Sequence, residues 1–329
     1  MKKFLAILMA MMLVFSLCGV AMADGYTDAS TATLKKTYEL EGSGKSPAET
    51  FTFSALTCTN VTDAAAGVTA DKAPVPTIAN SAVYTVGEAG SDTKTKSITI
   101  NLPTYDSVGI YTYSFTEKVG NTAGVTYRSE PIKLVVTVLE INGKVRIAGV
   151  HAETGDGEKT DTFVNTYSAG SLSVTNEVKG ILGDKTKEFE VTVTFTAPSG
   201  KTVNSVISYV DGTETKTIAA NWTNNTATAK ISLKDGETVI FNNIPYYVTY
   251  SVTEADYTGN NGGYDEAKIT YGDTDQEIDS AAETVKVTNN KGGKVDTGVY
   301  TDNMPYIMLM GIVVLAGAVL LMKRRSYNG

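Results

Sequence analysis

The sequence predicts an all-β chain built as two tandem sandwiches, and three observations lead there. Apolar and polar residues alternate over short stretches rich in Thr, Val and Tyr, while helical periodicity is almost absent. Turn dipeptides punctuate those stretches: Asn142-Gly143, Asp211-Gly212 and Asp235-Gly236. The two halves also echo each other as modules of about 130 residues. Each opens on an alternating strand (TLKKTYEL; SLSVTNEV) and continues with a Phe-rich one (AETFTFSA; KEFEVTVTF). Each then has a Tyr-rich strand ending in Thr-Glu (GIYTYSFTE; YYVTYSVTE) and closes on a strand ending in Asn (DTFVN; KVTN). Strands at this spacing suggest antiparallel sandwiches of immunoglobulin-like type.

The elements follow in order. Residues 1–23 carry Lys2 and Lys3 ahead of an apolar stretch that ends in Ala21-Met22-Ala23. This reads as a secretory signal peptide and stands outside the fold. Bulky Leu17 ahead of Cys18 argues against a lipoprotein signal. The first sandwich spans 24–168, with strands expected at 33–40, 50–56, 97–102, 110–116, 132–139, 144–150 and 162–166. Tyr167-Ser168-Ala169-Gly170 reads as a short joint. The second spans 169–291, with strands expected at 171–178, 188–196, 203–209, 227–233, 238–241, 247–253, 267–271 and 283–288.

Segment 292–329 contains the apolar run Tyr306–Met322, long enough for one transmembrane helix, followed by Lys323, Arg324 and Arg325. One reading is a permanent anchor. The other is a cell-wall sorting signal with Lys294-Val295-Asp296-Thr297-Gly298 as its motif, cut by a sortase between Thr297 and Gly298. Asp296 stands where such motifs often carry Pro. Both readings hold the body outside the cell.

Composition excludes several function classes. With 36 acidic against 28 basic residues the formal charge is −8, and Arg is confined to Arg128, Arg146, Arg324 and Arg325. Nucleic-acid binding is therefore not expected. His151 is the sole His, which argues against His-based hydrolysis and a thiolate–imidazole metal site. Past the signal peptide the only Cys is Cys58. No internal disulfide can form, so an exported β-rich body of this kind needs another staple.

Strand parity points to that staple. Leu34, Lys36, Tyr38 and Leu40 share one face of the first strand, which puts Lys36 among apolar side chains. A buried unpaired ammonium is costly, so Lys36 must pair, neutralise or react. Tyr111, Tyr113, Phe115 and Glu117 share another face, and Phe163 and Asn165 a third. Each of three strands thus sends one polar group inward.

These residues carry a specific resemblance. The LKK strand, SFTEK, and FVNTY leading into AGSLSV resemble the Gram-positive backbone pilin family of FctA (T-antigen) type. GSLSV, GDKTKEF, YSVTEADY and VTNNKGGKVDTGV extend the similarity through the second half. The resemblance implies two CnaB-type domains with spontaneous lysine–asparagine isopeptide bonds. It implies Lys36 as the reactive lysine, Asn165 as the acceptor, and Glu117 as the catalyst that hydrogen-bonds to the Asn165 carbonyl and shuttles protons. Crosslinking runs once per molecule, so the chain is expected not to be an enzyme, and no cofactor or metal is expected.

In the second half Glu254 and Asn289 match the catalyst and acceptor, but Asn176 stands where the family has lysine. Lys179 has the opposite parity, so no bond is expected there, and Glu254 is expected to hydrogen-bond to Asn176 or Asn289. The resemblance further implies a wall-anchored surface pilus. Its partners would be identical pilin subunits, a pilus-specific sortase, minor or basal pilins and cell-wall peptidoglycan. The acyl group of Thr297 would pass to an exposed lysine, for which Lys159 in the polar stretch 155–160 is the candidate.

Three other readings compete. A monomeric wall-anchored adhesin or stalk would use the same domains without polymerising. Asp273, Asp275, Glu277 and Asp279 could form a calcium module, though they lack the glycine and spacing of an EF-hand loop, and a solvated acidic hairpin is the simpler reading. A glycosidase would need Glu117 and Glu254 close together, yet they fall in different modules. Trp222 reads as a packed core residue rather than a sugar platform.

Overall fold

The computed structural model describes residues 28–293. The expected signal peptide, Thr297, Gly298 and the apolar run Tyr306–Met322 lie outside the described residues. Among the described residues no helix is long and apolar enough to cross a membrane.

The first half forms β1 (Thr31–Gly42), β2 (Glu49–Phe51), β3 (Thr57–Thr62), β4 (Thr77–Ile78), β5 (Ala82–Tyr84), β6 (Thr95–Asn101), β7 (Gly109–Phe115), β8 (Val125–Thr126), β9 (Ile132–Ile141), β10 (Lys144–Glu153) and β11 (Thr162–Lys179). The second half adds β12 (Phe189–Thr196), β13 (Ile207–Asp211), β14 (Glu214–Ile218), β15 (Thr226–Leu233), β16 (Thr238–Pro245), β17 (Thr249–Glu254), β18 (Lys268–Tyr271) and β19 (Ala282–Asn290). Alternation is cleanest in β7 (GIYTYSF) and β12 (FEVTVTF), where every second residue is buried. One face of each strand is thereby committed to a core. Asn142-Gly143 joins β9 to β10 with φ of 53° and 74°, the left-handed pair that a tight hairpin turn requires.

One long sheet runs β14-β13-β16-β11-β1-β6-β4, with β8 and β19 also paired to β11 and β18 to β19. The sheet β10-β9-β7-β3 shares the first-half core with it, and β15-β12-β17 shares the second-half core. Each half is thus a sandwich with its own packed interior. The first and last strands of each sandwich lie side by side and parallel: β1 with β11, and β11 with β19.

The expected joint at Tyr167–Gly170 is not a break. It falls within β11, a single 18-residue strand whose first part pairs with β1 and whose second part pairs with β16 and β19. Tyr167 through Gly170 are all buried, and across them the inward-facing residues change from odd positions (Phe163, Asn165) to even ones (Leu172, Val174), with a shift of register at Gly170/Ser171. Small residues sit at the crossing because the chains crowd there: a Cβ on Gly170 would stand 2.2 Å from the Ser280 carbonyl oxygen. The two sandwiches therefore share a continuous β-strand.

Candidate functional site

The geometry begins with register. Lys36 of β1 pairs with Phe163 of β11, and Asn165 lies two residues further along β11 on the same face. Glu117 follows β7 in the opposing sheet and bridges to Phe53. Leu34, Tyr38 and Phe163 around the site are buried, and Lys36, Glu117 and Asn165 are themselves 1%, 3% and 2% exposed. Side chains from three distant stretches converge in a dry interior.

They close a triangle. The Lys36 Nζ donates to Glu117 Oε2 at 2.5 Å and to Asn165 Oδ1 at 2.6 Å. Asn165 Nδ2 donates to Glu117 Oε1 at 2.5 Å. The Arg128 backbone N–H also donates to Oε1, at 3.3 Å. The Phe51 ring lies 5.0 Å from Nζ, and the Tyr84 hydroxyl donates to the Lys36 carbonyl oxygen at 2.5 Å. Sequence reasoning missed these last three. Phe51 sits in a stretch read as a strand, but its place beneath the amine is a tertiary fact. Tyr84 belongs to the three-residue β5, which carries no alternation to notice.

The expected contact from Glu117 to the Asn165 carbonyl is not the one seen. Glu117 meets Nδ2, and the amine meets Oδ1. An acceptor-only carboxylate takes N–H donors, leaving the carbonyl oxygen to the ammonium.

Burial lowers the Lys36 pKa, opposed by the neighbouring Glu117 charge and hydrogen bond. Moving one proton from Nζ to Oε2 turns a buried ion pair into a neutral amine and a carboxylic acid, removing the desolvation cost of two charges. The amine lone pair is then beside the Asn165 carbonyl. Attack from there would form the Nζ–Cγ bond. Glu117 could take a proton from Nζ at one oxygen and give one to Nδ2 at the other, so that the Cγ–Nδ2 bond would break and ammonia would leave, with Glu117 regenerated as the acid. The resulting amide would join residues 129 apart.

The second domain repeats the frame with different chemistry. Asn176 pairs with Val287 of β19, and Asn289 lies two residues further along, the same offset that relates Lys36 to Asn165. Asn289 Nδ2 donates to Glu254 Oε1 at 2.6 Å and to Asn176 Oδ1 at 3.0 Å. Asn176 Nδ2 donates to the Leu233 carbonyl oxygen at 3.2 Å. Burial raises the Glu254 pKa, opposed by the Asn289 hydrogen bond. Asn176 and Asn289 are both 0% exposed. Lys179 points away and pairs with Glu177 at 3.1 Å.

The remaining candidates lie elsewhere. Lys159 is exposed, bridged to Glu153 just ahead of β11. Asp273, Asp275 and Asp279 bring carboxylate oxygens within 4.8 Å of one another in a largely exposed turn, without Glu277. Asp273 and Asp275 accept backbone N–H groups of that turn. Glu117 and Glu254 each serve the asparagine of their own sandwich. Trp222 is half-buried against the second core, near Phe195 at 6.3 Å.

The chain is similar to known proteins in both halves. Residues 32–168 match the FctA family, described as a Spy0128-like isopeptide containing domain. Residues 170–291 match DUF7601, a domain of unknown function. The chain is 29% identical over 262 residues to a protein named pilin from Streptococcus pyogenes serotype M1, covering 73% of this chain and 74% of the relative. Among solved structures, the major pilin protein T3.2 from Streptococcus pyogenes serotype GAS13637 aligns with a TM-score of 0.53 at 24% identity, covering 80% of this chain and 99% of that one. A major pilin from Streptococcus pyogenes aligns with a TM-score of 0.52 at 22% identity, covering 81% and 100%.

Proposed function

Starting from the membership of this chain in the sortase-assembled major pilin family, we propose that it is the structural subunit of a covalently polymerised pilus shaft on a Gram-positive cell surface. The observation that carries this reading is the buried triangle of Lys36, Glu117 and Asn165. Its chemistry yields one amide and one ammonia per chain. Glu117 is the catalyst, and the reaction is maturation rather than enzymatic turnover, with no cofactor or metal.

A shaft subunit needs a covalent exit and a covalent entry. In this reading a pilus-specific sortase cuts between Thr297 and Gly298 and passes the Thr297 carbonyl to Lys159 of the next subunit. Minor or basal pilins and peptidoglycan complete the assembly. The segment 1–23 directs export, and the apolar run Tyr306–Met322 holds the precursor in the membrane until cleavage. Lys159 and the exit toward Thr297 flank opposite ends of the paired strands β11 and β19, which suits head-to-tail joining.

The test is a denaturing gel of wall extracts. The reading expects a ladder of high-mass species in the wild type, lost on Lys159→Arg and on Thr297→Ala. A ladder surviving Lys159→Arg would move the entry point to another lysine. A wild type without any ladder would favour the wall-anchored monomeric adhesin.

A further inference from the structure

The path of force through the chain points to a second role, which rests on the head-to-tail joining at Lys159 and Thr297 proposed above. Lys159 stands just ahead of β11, and the segment toward Thr297 leaves from the far end of β19, where Asn290 pairs with Lys179. A subunit pulled between those points is loaded along β11. Load entering at Lys159 leaves residues 36–158 off its path, and when the chain is pulled from its two ends the Lys36–Asn165 bond would clamp β1 to β11 and shield the residues between them.

The second sandwich meets the load differently. Force enters β11 near Gly170 and leaves through β19. The two strands are parallel neighbours, paired from Ser171↔Ala282 to Lys179↔Asn290. Pulling slides one past the other and strains nine register pairs together. A ladder loaded in shear fails as one cooperative event rather than pair by pair. No covalent bond backs this ladder. Asn176 is an amide where a nucleophilic amine would be needed, and the sequence has no Cys between 170 and 291. The three groups at this position make hydrogen bonds alone.

We propose that the second domain is a length reserve: it opens above a threshold force while the crosslinked first domain stays shut, and it refolds when the load falls. Residues 170–291 extended at the reach of a polypeptide give roughly 400 Å per opened subunit. Because the reserve is held by hydrogen bonds and packing, opening breaks nothing that the chain must remake chemically. A shaft of such subunits would absorb a sudden pull by lengthening instead of tearing its covalent joints.

Single-molecule extension of the full chain, held by handles at its two ends, tests this. The wild type should show one release of about 400 Å, and repeated pulls after relaxation should show it again. The variant Asn176→Lys, once intact mass shows loss of a second ammonia, should lose that release, because the new bond would bypass the 113 residues separating positions 176 and 289. A wild type that gives no release at forces sufficient to open an uncrosslinked β-sandwich overturns the proposal. So does a release that persists in the crosslinked variant. A second release of similar size in the wild type would leave the reserve standing and sink the Lys36–Asn165 bond instead. Joining at Lys159 is read separately from the gel ladder, so its failure cannot be mistaken for either result.

Discussion

Lys36 and Asn176 hold equivalent places in two copies of one frame. Each sits on the first strand of its sandwich, beside a parallel last strand, with an asparagine two positions further along and a glutamate reaching across from the opposing sheet. In the first copy an amine with a burial-lowered pKa touches the amide oxygen of Asn165. In the second an amide side chain accepts a hydrogen bond from Asn289 and stops there. The difference teaches that the fold supplies proximity and a proton carrier twice, while reactivity depends on one atom type. A buried carboxyl beside a buried asparagine is not a crosslinking site without a nucleophile.

The comparison breaks most visibly if the first copy is disarmed. Lys36→Met keeps an unbranched apolar chain in the slot but removes the amine. The proposed bond, closing a loop of 129 residues, would contribute about 5 kcal/mol in the chain-entropy model. We expect a loss of that order in chemical denaturation and no ammonia missing from the mass. An unchanged denaturation midpoint would mean that the triangle is only a hydrogen-bonded cluster. Glu117→Gln should leave Lys36 and Asn165 adjacent but largely unjoined, which mass spectrometry would show as the full unreacted mass.

Arming the second copy sharpens the comparison from the other side. Asn176→Lys should form a new bond with Asn289 and raise the unfolding temperature of the second domain, by less than the first domain loses. An amine introduced into a packed site must displace the contact that Asn176 makes with Leu233. Differential scanning calorimetry would show whether the rise occurs.

A smaller effect follows from Glu254. Its folded pKa is raised by burial, so the folded state favours the protonated acid. The stability this contributes is fully present below the ordinary carboxylate value and is lost as pH rises through the raised folded value. The second-domain transition should therefore weaken across that window, and Glu254→Gln should flatten the slope. Equal slopes in both proteins would contradict this. The smallest effect on stability is expected from Lys159→Arg at an exposed position, within about 0.5 kcal/mol. That variant should separate polymerisation from folding, since it changes the ladder but not the denaturation curve of the monomer.

Much of this was readable from the chain. Parity alone placed Lys36, Glu117 and Asn165 on inward faces, because strands expose alternate residues to opposite sides. The same reasoning turned Asn176 inward and Lys179 outward. What parity could not give was the third dimension. β3 (TCTNVT) and β14 (ETKTI) are edge strands with few apolar residues, so their sequences carry little alternation. The continuity of β11 was hidden by Ser168, Ala169 and Gly170, whose small size suggests a hinge. Gly170 instead serves the close approach of the Ser280 carbonyl within the second sandwich. The contact between Glu117 and the Asn165 amide nitrogen, rather than the carbonyl oxygen, was not legible in the sequence because it turns on which end of an amide faces which partner.

Intact mass of the purified chain bears most directly on the contrast between the two domains. The account predicts a deficit of one ammonia relative to the sequence, carried by a joined peptide pair containing Lys36 and Asn165. A deficit of two would contradict the reading of Asn176, and no deficit at all would remove the covalent staple from the first domain.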